Sequence, residues 1–249
     1  MALQATGLTH EGCKRPTNQD SIAWQVNLTG TGALGVLADG MGGYEGGEIA
    51  SRLAVDTLMA CLTPELDRSH LDDQAIAESI QAAVTLAGTQ IRRARNNDPR
   101  LSKMGTTIVL AWVRGDRAHI AHLGDSRCYL LSGQHLACKT RDDTVVQNMI
   151  EDGSIKASDA SRVPFRNVLT RALGSADDAP ATLTSLTMAK GDRLVLCSDG
   201  LTDAVPDETW PDLMADDRSL IKQAQKLVDT GLANQAADNV SVVIIQLGD

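Results

Sequence analysis

The sequence predicts an α+β fold in which two largely antiparallel sheets carry helices on their outer sides. Three observations lead there. Two long stretches repeat apolar residues at three- and four-residue spacing. Short runs rich in Val, Ile and Leu are divided by tight-turn residues. Helical stretches fall before and after blocks of strands instead of alternating with each strand, which disfavours a doubly wound parallel sheet.

Taken in chain order, residues 21–26 and 33–38 read as strands joined across Gly30-Thr31-Gly32. That loop spells part of a dinucleotide-binding fingerprint, but a strand and not a helix follows it, so it reads as a hairpin. Residues 47–62 place Ile49, Leu53, Ala54, Leu58 and Cys61 on one helical side, and 71–97 do the same with Ile76, Ile80, Val84, Ala87, Ile91 and Ala94. Between 106 and 139 the pattern changes to four short runs, 107–113, 117–123, 127–131 and 134–138, expected as one antiparallel meander. Strands follow at 183–186, 193–197 and 240–247, with a helix at 219–230 stopped by Gly231. His119 and His122 lie three apart on one expected strand, so they face opposite sides and are poor joint metal ligands. Residues 140–171 are polar and irregular apart from one short amphipathic helix, the kind of excursion that tends to carry function.

Composition narrows the function. Apolar residues make up 43% of the 249, evenly spread without a linker-like stretch, so 1–249 is expected as a single domain. Aromatic residues are only 2% and the net charge is −9, which argues against nucleic-acid partners. The five cysteines form no Cys-x-x-Cys pair and their odd number does not suit a disulfide framework. Residues 1–12 lack a secretory pattern, and no apolar run approaches a membrane span. A cytoplasmic protein without membrane contact is the expectation. No cysteine is followed by arginine six positions later and no Asp-x-Asp occurs, which removes cysteine- and aspartate-nucleophile phosphatases.

The chemistry gathers at strand ends. The run 33–38 ends in Asp39-Gly40-Met41-Gly42-Gly43, and 193–197 ends in Ser198-Asp199-Gly200. Glycine beside each carboxylate lets the chain turn and brings a carbonyl within reach of an ion. Either one alone is an ordinary turn dipeptide. Three more sites share the character: Arg15-Pro16-Thr17-Asn18-Gln19-Asp20, Gly124-Asp125-Ser126-Arg127 and Asp238-Asn239. Separated carboxylates on different elements suit magnesium or manganese, which take oxygen ligands and keep several waters. Two such ions can clamp a phosphoryl group and activate water between them.

These segments, with Thr170-Arg171-Ala172-Leu173-Gly174, Ser198-Asp199-Gly200-Leu201-Thr202-Asp203 and Asp238-Asn239-Val240-Ser241, occur in the order seen in the metal-dependent type 2C protein phosphatases, the PPM family. The likeness runs from Gly7 to Gln246 and is strongest to compact bacterial members made of the catalytic domain. It implies a four-layer α-β-β-α sandwich and a phosphoserine/phosphothreonine phosphatase using two manganese or magnesium ions, with water between them as nucleophile and no phosphoenzyme. Residue by residue it implies that Asp39 bridges both ions, Asp199 and Asp238 complete the first site, and the Gly40 carbonyl serves the second. It further implies that Asp20 orients water, Arg15 grips phosphate, and Asp125 belongs to a third, weaker ion site.

Phosphoproteins of a cognate Ser/Thr kinase are the implied partners, acted on by a monomer. Residues 144–167 correspond to the family's flap. Arg166 and Arg171 are candidate phosphate contacts, though the apolar neighbours of Arg171 favour a buried ion pair. Two positions depart from the family: Gln19 where many members carry Glu, and Met41 where eukaryotic members carry a histidine proposed as general acid. A silent relative acting as a binding module and a hydrolase of small phosphoesters are the alternatives.

Overall fold

The computed structural model describes residues 2–42, 46–68, 71–175, 180–215 and 219–248. Among the described residues eleven strands form two antiparallel sheets. One holds β1 (Leu3–His10), β11 (Val240–Leu247), β10 (Arg193–Cys197), β7 (Arg127–Ser132) and β8 (His135–Cys138), in that order. The other runs β2 (Asp20–Val26), β3 (Gly32–Met41), β5 (Ile108–Arg114), β6 (Arg117–Leu123) and β9 (Thr182–Thr187), with the two-residue β4 (Gly105–Thr106) added at the end of β3.

Alternation along the strands builds three apolar layers. Leu37, Val109, Ile120, Leu194, Val243 and Ile245 fill the space between the sheets. Leu34, Val36, Leu110 and Trp112 face the other way, onto α1 (Gly47–Leu62) and α2 (Asp73–Asn97). Val195, Cys197, Val242 and Ile244 meet α4 (Asp199–Ala204), α5 (Trp210–Ala215) and α6 (Leu220–Ala233). The expected four-layer α-β-β-α sandwich is therefore what forms. The apolar runs of β3 and β11 are continuous because both their faces are buried.

Three expectations need correction. The run 107–138 is not one meander: β5 and β6 form a hairpin in one sheet, β7 and β8 a hairpin in the other. The crossing lies at Gly124, whose φ of 107° and close approach to Thr107 turn the chain out of the first sheet. Gly231 does not stop α6. It lies inside the helix, where a Cβ would sit at ordinary packing distances of 3.6–3.8 Å from Val240, Val205 and Ala204. The helix ends at Gln235 (φ 60°), with Ala236 N donating to Gly231 O (3.0 Å) and Gln235 N to Leu232 O (2.9 Å), a Schellman arrangement without glycine at its left-handed position. Strand β1 was not foreseen, and it pairs along its whole length with β11.

The irregular segment holds α3 (Val145–Glu151) and a 3-10 turn over Ala157–Arg162. Its two ends close on each other through a bridge between Thr144 and Leu169 and a bond from Val145 N to Val168 O (2.9 Å). No helix among the described residues is long and apolar enough to cross a membrane.

The sheets approach closely where β3 carries Gly35. A Cβ there would lie 3.0 Å from Val243 and 3.1 Å from Ile245 across the sandwich. Gly35→Val is expected to overpack this layer and cost about 1–3 kcal/mol, read as a lower urea midpoint with an unchanged m-value.

Candidate active site

Both sheets end at one cleft of about 810 Å3, lined by Arg15, Gln19, Asp39, Gly40, Met41, Asp125, Arg171, Asp199, Asp238 and Asn239 among others. The strand register explains how distant carboxylates meet. Asp20 opens β2 directly opposite Asp39 near the end of β3, a cross-strand pairing that sets side chains next to each other. Asp199 follows β10, Asp238 precedes β11, and these two strands are neighbours in the other sheet. Asp125 sits in the turn that crosses between sheets.

The backbone around these residues is fixed tightly. Asp39 N donates to Thr107 Oγ1 (3.0 Å), while Asp39 O accepts from Thr107 N (2.9 Å) and Thr106 Oγ1 (2.8 Å). Thr107 Oγ1 in turn contacts Ser126 Oγ at 2.6 Å, joining the Asp125 turn to the Asp39 strand end. At Gly40 three chain segments cross: a Cβ there would lie 2.1 Å from Gly47 O and 2.7 Å from Gln19 O. No side chain fits, so the end of β3 keeps its position only with glycine. Gly200 meets Asn239 O in the same way, at 2.1 Å. Gly43, the last residue of that segment, lies outside the described residues.

Electrostatically the site is a concentration of like charge. Burial pushes Asp39 well above the usual carboxylate range, and the charges of Asp20, Asp199, Asp125 and Asp238 push it further. Burial likewise raises Asp20 to about 7 against the bonds it receives from Ser241 and Ser198. Asp125 rises to about 7 through burial and Asp199, and Asp199 to about 6 through burial and Asp238. Asp20 Oδ1 and Asp199 Oδ1 are buried without a partner among the described residues.

A divalent cation fits these groups, since it would supply the countercharge and the missing contacts together. Among the described residues no three His, Cys, Asp or Glu side chains close into a ready-made coordination group.

The remaining expected residues fall as follows. Arg15, on the loop before β2, donates to Asp238 Oδ2 at 2.6 Å at the exposed lip of the cleft. Met41 lines the cleft and has no proton to give. Gln19 turns its amide to Glu48 Oε2 (3.1 Å), so a carboxylate that sequence reading overlooked stands beside the neutral residue. Arg171 donates to Asp143 (3.2 Å), Thr182 Oγ1 (3.0 Å) and Pro180 O, the ion pair its apolar neighbours favoured. Arg166 pairs with Asp203 at 3.2 Å and lines a smaller cleft beside the first, shared with Asp125 and Asp199.

A model of the protein phosphatase 2C family matches residues 6–241. The chain belongs to that family. It is 34% identical over 253 residues to the serine/threonine protein phosphatase PstP of Mycobacterium tuberculosis, covering all of this chain and 46% of that protein, so it spans about half the length of this relative. It is 30% identical over 250 residues to the protein phosphatase PhpP of Streptococcus pneumoniae, covering 99% of this chain and 98% of that one. The crystal structure of the PstP catalytic domain in complex with two manganese ions superposes with a TM-score of 0.85 at 33% identity, covering 99% of each chain.

Two groups of this phosphatase-family site escaped the sequence reading because they act through hydroxyl and amide contacts without charge. One is the hydroxyl set Thr106, Thr107, Ser126, Ser198 and Ser241. The other is Asn239, whose Nδ2 donates to Glu11 O (2.9 Å) and Thr17 O (3.0 Å) and whose Oδ1 accepts from Gln19 N (2.8 Å). One side chain thus ties the loop carrying Arg15 to the start of β11. Asn239→Ala is expected to cost about 2–3 kcal/mol, since it strips partners from partly buried backbone groups. Hydrogen exchange at the Gln19 amide checks it and should accelerate with little change in the core of β11.

Proposed function

We propose that this chain is a metal-dependent phosphatase of phosphoserine and phosphothreonine in proteins. The observation that carries the reading is the convergence of Asp39, Asp125, Asp199 and Asp238 from both sheets on one cleft, with Asp20 buried opposite Asp39 and the Oδ1 atoms of Asp20 and Asp199 left unpartnered among the described residues. Family membership and the two manganese ions of the PstP catalytic domain support it.

In this reading Asp39 serves both cations, Asp199 and Asp238 complete the first site, and the Gly40 carbonyl reaches the second. Asp125 contributes to a third, weaker site. When bound, manganese or magnesium supplies Lewis acidity toward the phosphoryl oxygens and makes water nucleophilic at neutral pH, with no covalent phosphoenzyme. Asp20 orients water from a position behind the cation site. Arg15, held at the lip by Asp238, turns its remaining guanidinium donors to the substrate phosphate. Met41 leaves the leaving alkoxide to take its proton from water or from the substrate's surroundings.

The substrate and setting follow from the same features. An open cleft beside the excursion at 144–167 admits a phosphorylated segment of a folded protein, and substrates of a cognate Ser/Thr kinase fit that role. Every group named comes from this one chain, which supports a single catalytic unit acting as a monomer. Its five free thiols suit a reducing cytoplasm.

Hydrolysis of a phosphothreonine peptide is expected to require manganese or magnesium and to fall at least ~100-fold in Asp39→Asn. Thermal unfolding gives a second readout. Manganese at 100 times its Kd should stabilise the wild type by about 2.7 kcal/mol and leave Asp39→Asn nearly unmoved. Full turnover in chelator rejects the reading. Arg15→Ala is expected to raise KM about 10- to 100-fold, the loss of a charged hydrogen bond, with a smaller effect on kcat. Steady-state kinetics decide, and a collapse confined to kcat contradicts the role.

A further inference from the structure

The hydroxyls around Asp20 form more than a polar lining. Asp20 Oδ2 accepts two bonds, from Ser241 Oγ at 2.6 Å and Ser198 Oγ at 2.8 Å. Both serines are fully buried, and they are tied to each other by Ser241 N donating to Ser198 Oγ (3.1 Å) and Ser198 N donating to Ser241 O (3.2 Å). Beyond Ser241 the contacts continue. Thr9 Oγ1 lies 2.7 Å from Ser241 Oγ, and Asn18 Nδ2 donates to Thr9 Oγ1 at 2.7 Å. Asn18 Oδ1 then accepts from Asp20 N at 3.0 Å, so the path returns to the residue where it started.

Proton counting gives this ring a direction. A hydroxyl has one proton to donate. Ser241 spends its proton on Asp20, so toward Thr9 it can only accept. Thr9 therefore donates to Ser241, and its own lone pair receives the Asn18 amide. The amide orientation of Asn18 is fixed as well, because its oxygen is needed by Asp20 N. Every rotor in the ring is set by its neighbour, and bonds aligned in one direction strengthen one another. The outcome is asymmetric at Asp20: Oδ2 is held from two sides, and Oδ1 is the oxygen left buried and unpartnered among the described residues, on the residue paired in register with Asp39.

Resting on the phosphatase reading above, we propose that Asn18, Thr9 and Ser241 form a one-way hydrogen-bond ring that clamps Asp20 Oδ2 and thereby presents Oδ1 to the cation site. Ser241 and Thr9 are then positioning residues, acting through Asp20 and touching neither cation nor substrate. Thr9 is the informative one. It is exposed near the end of β1 and lies outside the aspartate motifs; its backbone pairs in register with Ser241, and its side chain reaches the site through the ring.

The test compares wild type, Ser241→Ala, Thr9→Val and Thr9→Ser by calorimetric titration with manganese alone and by steady-state kinetics. Ser241→Ala is expected to weaken manganese binding and lower kcat by roughly 10- to 100-fold, the range for groups that orient a metal's surroundings, with KM little changed. Thr9→Val keeps the shape but removes the hydroxyl and should move both readouts in the same direction by a smaller factor. Thr9→Ser should restore them. Should Ser241→Ala fail to fold, the two Thr9 variants carry the comparison, because that side chain is exposed.

Unchanged manganese affinity and kcat in Ser241→Ala, or Thr9→Ser as impaired as Thr9→Val, overturns the ring. These failures are separable from failure of the function itself. A wild type that binds no manganese sinks the phosphatase reading and this inference together, whereas normal wild-type binding with silent variants sinks the inference alone.

Discussion

Like charge held together out of water is the constraint around which this molecule is arranged. Asp20, Asp39, Asp125 and Asp199 are each raised by burial, and each also feels at least one other carboxylate. A fold selected for stability alone has no reason to assemble such a group, because every desolvated carboxylate added makes the others harder to ionise. The cost is borne by the apolar layers on either side of each sheet. It is tolerable because the acidic residues sit at strand ends, where the core gives way to the cleft, and not in the middle of strands. The ends of β3 and β10 carry the cluster, while the interiors of those strands are wholly aliphatic.

Position within the cluster is enforced by backbone more than by side chains. Gly40 and Gly200 occupy points where another segment's carbonyl passes within 2.1 Å of any Cβ. The chain can therefore bring Asp39 and Asp199 in from different sheets without spacer side chains pushing them apart. The hydroxyls of Thr106 and Thr107 complete the frame by occupying the backbone groups of Asp39, with Ser126 bracing Thr107, which leaves the Asp39 carboxylate as the part free to do chemistry.

How much of this was legible in the sequence depended on whether the signal was local. The bounds of α1, β6, β10 and β11 could be read because each is an apolar pattern closed by turn or polar residues at both ends. The carboxylates could be read because each lies at the end of such a strand, and all but Asp20 sit beside glycine or asparagine. What failed was non-local. Nothing in residues 107–138 says that the second hairpin changes sheets, since that follows from how Gly124 packs on Thr107. Gly231 looked like a helix stop because glycine usually is one, yet it lies inside α6, and the left-handed position beyond the helix end is taken by Gln235. Serine, threonine and asparagine at the site were illegible for a related reason: their value lies in partners more than 200 positions away, as with Asn239 and Glu11 or Ser241 and Asp20.

The excursion between β8 and β9 shows the same division between a fixed base and a freer middle. Asp143 is buried at its root, where its carboxylate accepts from Gly124 N (3.1 Å) and from Arg171 (3.2 Å), and its backbone bonds both Gly124 O and Thr170 N. Arg127 adds a bidentate pair to the adjacent Asp142 at 2.8 and 2.6 Å. These contacts lock the root of the excursion to the turn that carries Asp125. Farther out, Phe165 is exposed, and the link back to the scaffold at Arg166 and Asp203 is a solvent-exposed ion pair, of a class worth ~0–1 kcal/mol. A segment anchored so firmly at its base and so lightly farther out can shift its outer surface without disturbing Asp125. The position of that carboxylate is thereby set by the root of the loop alone.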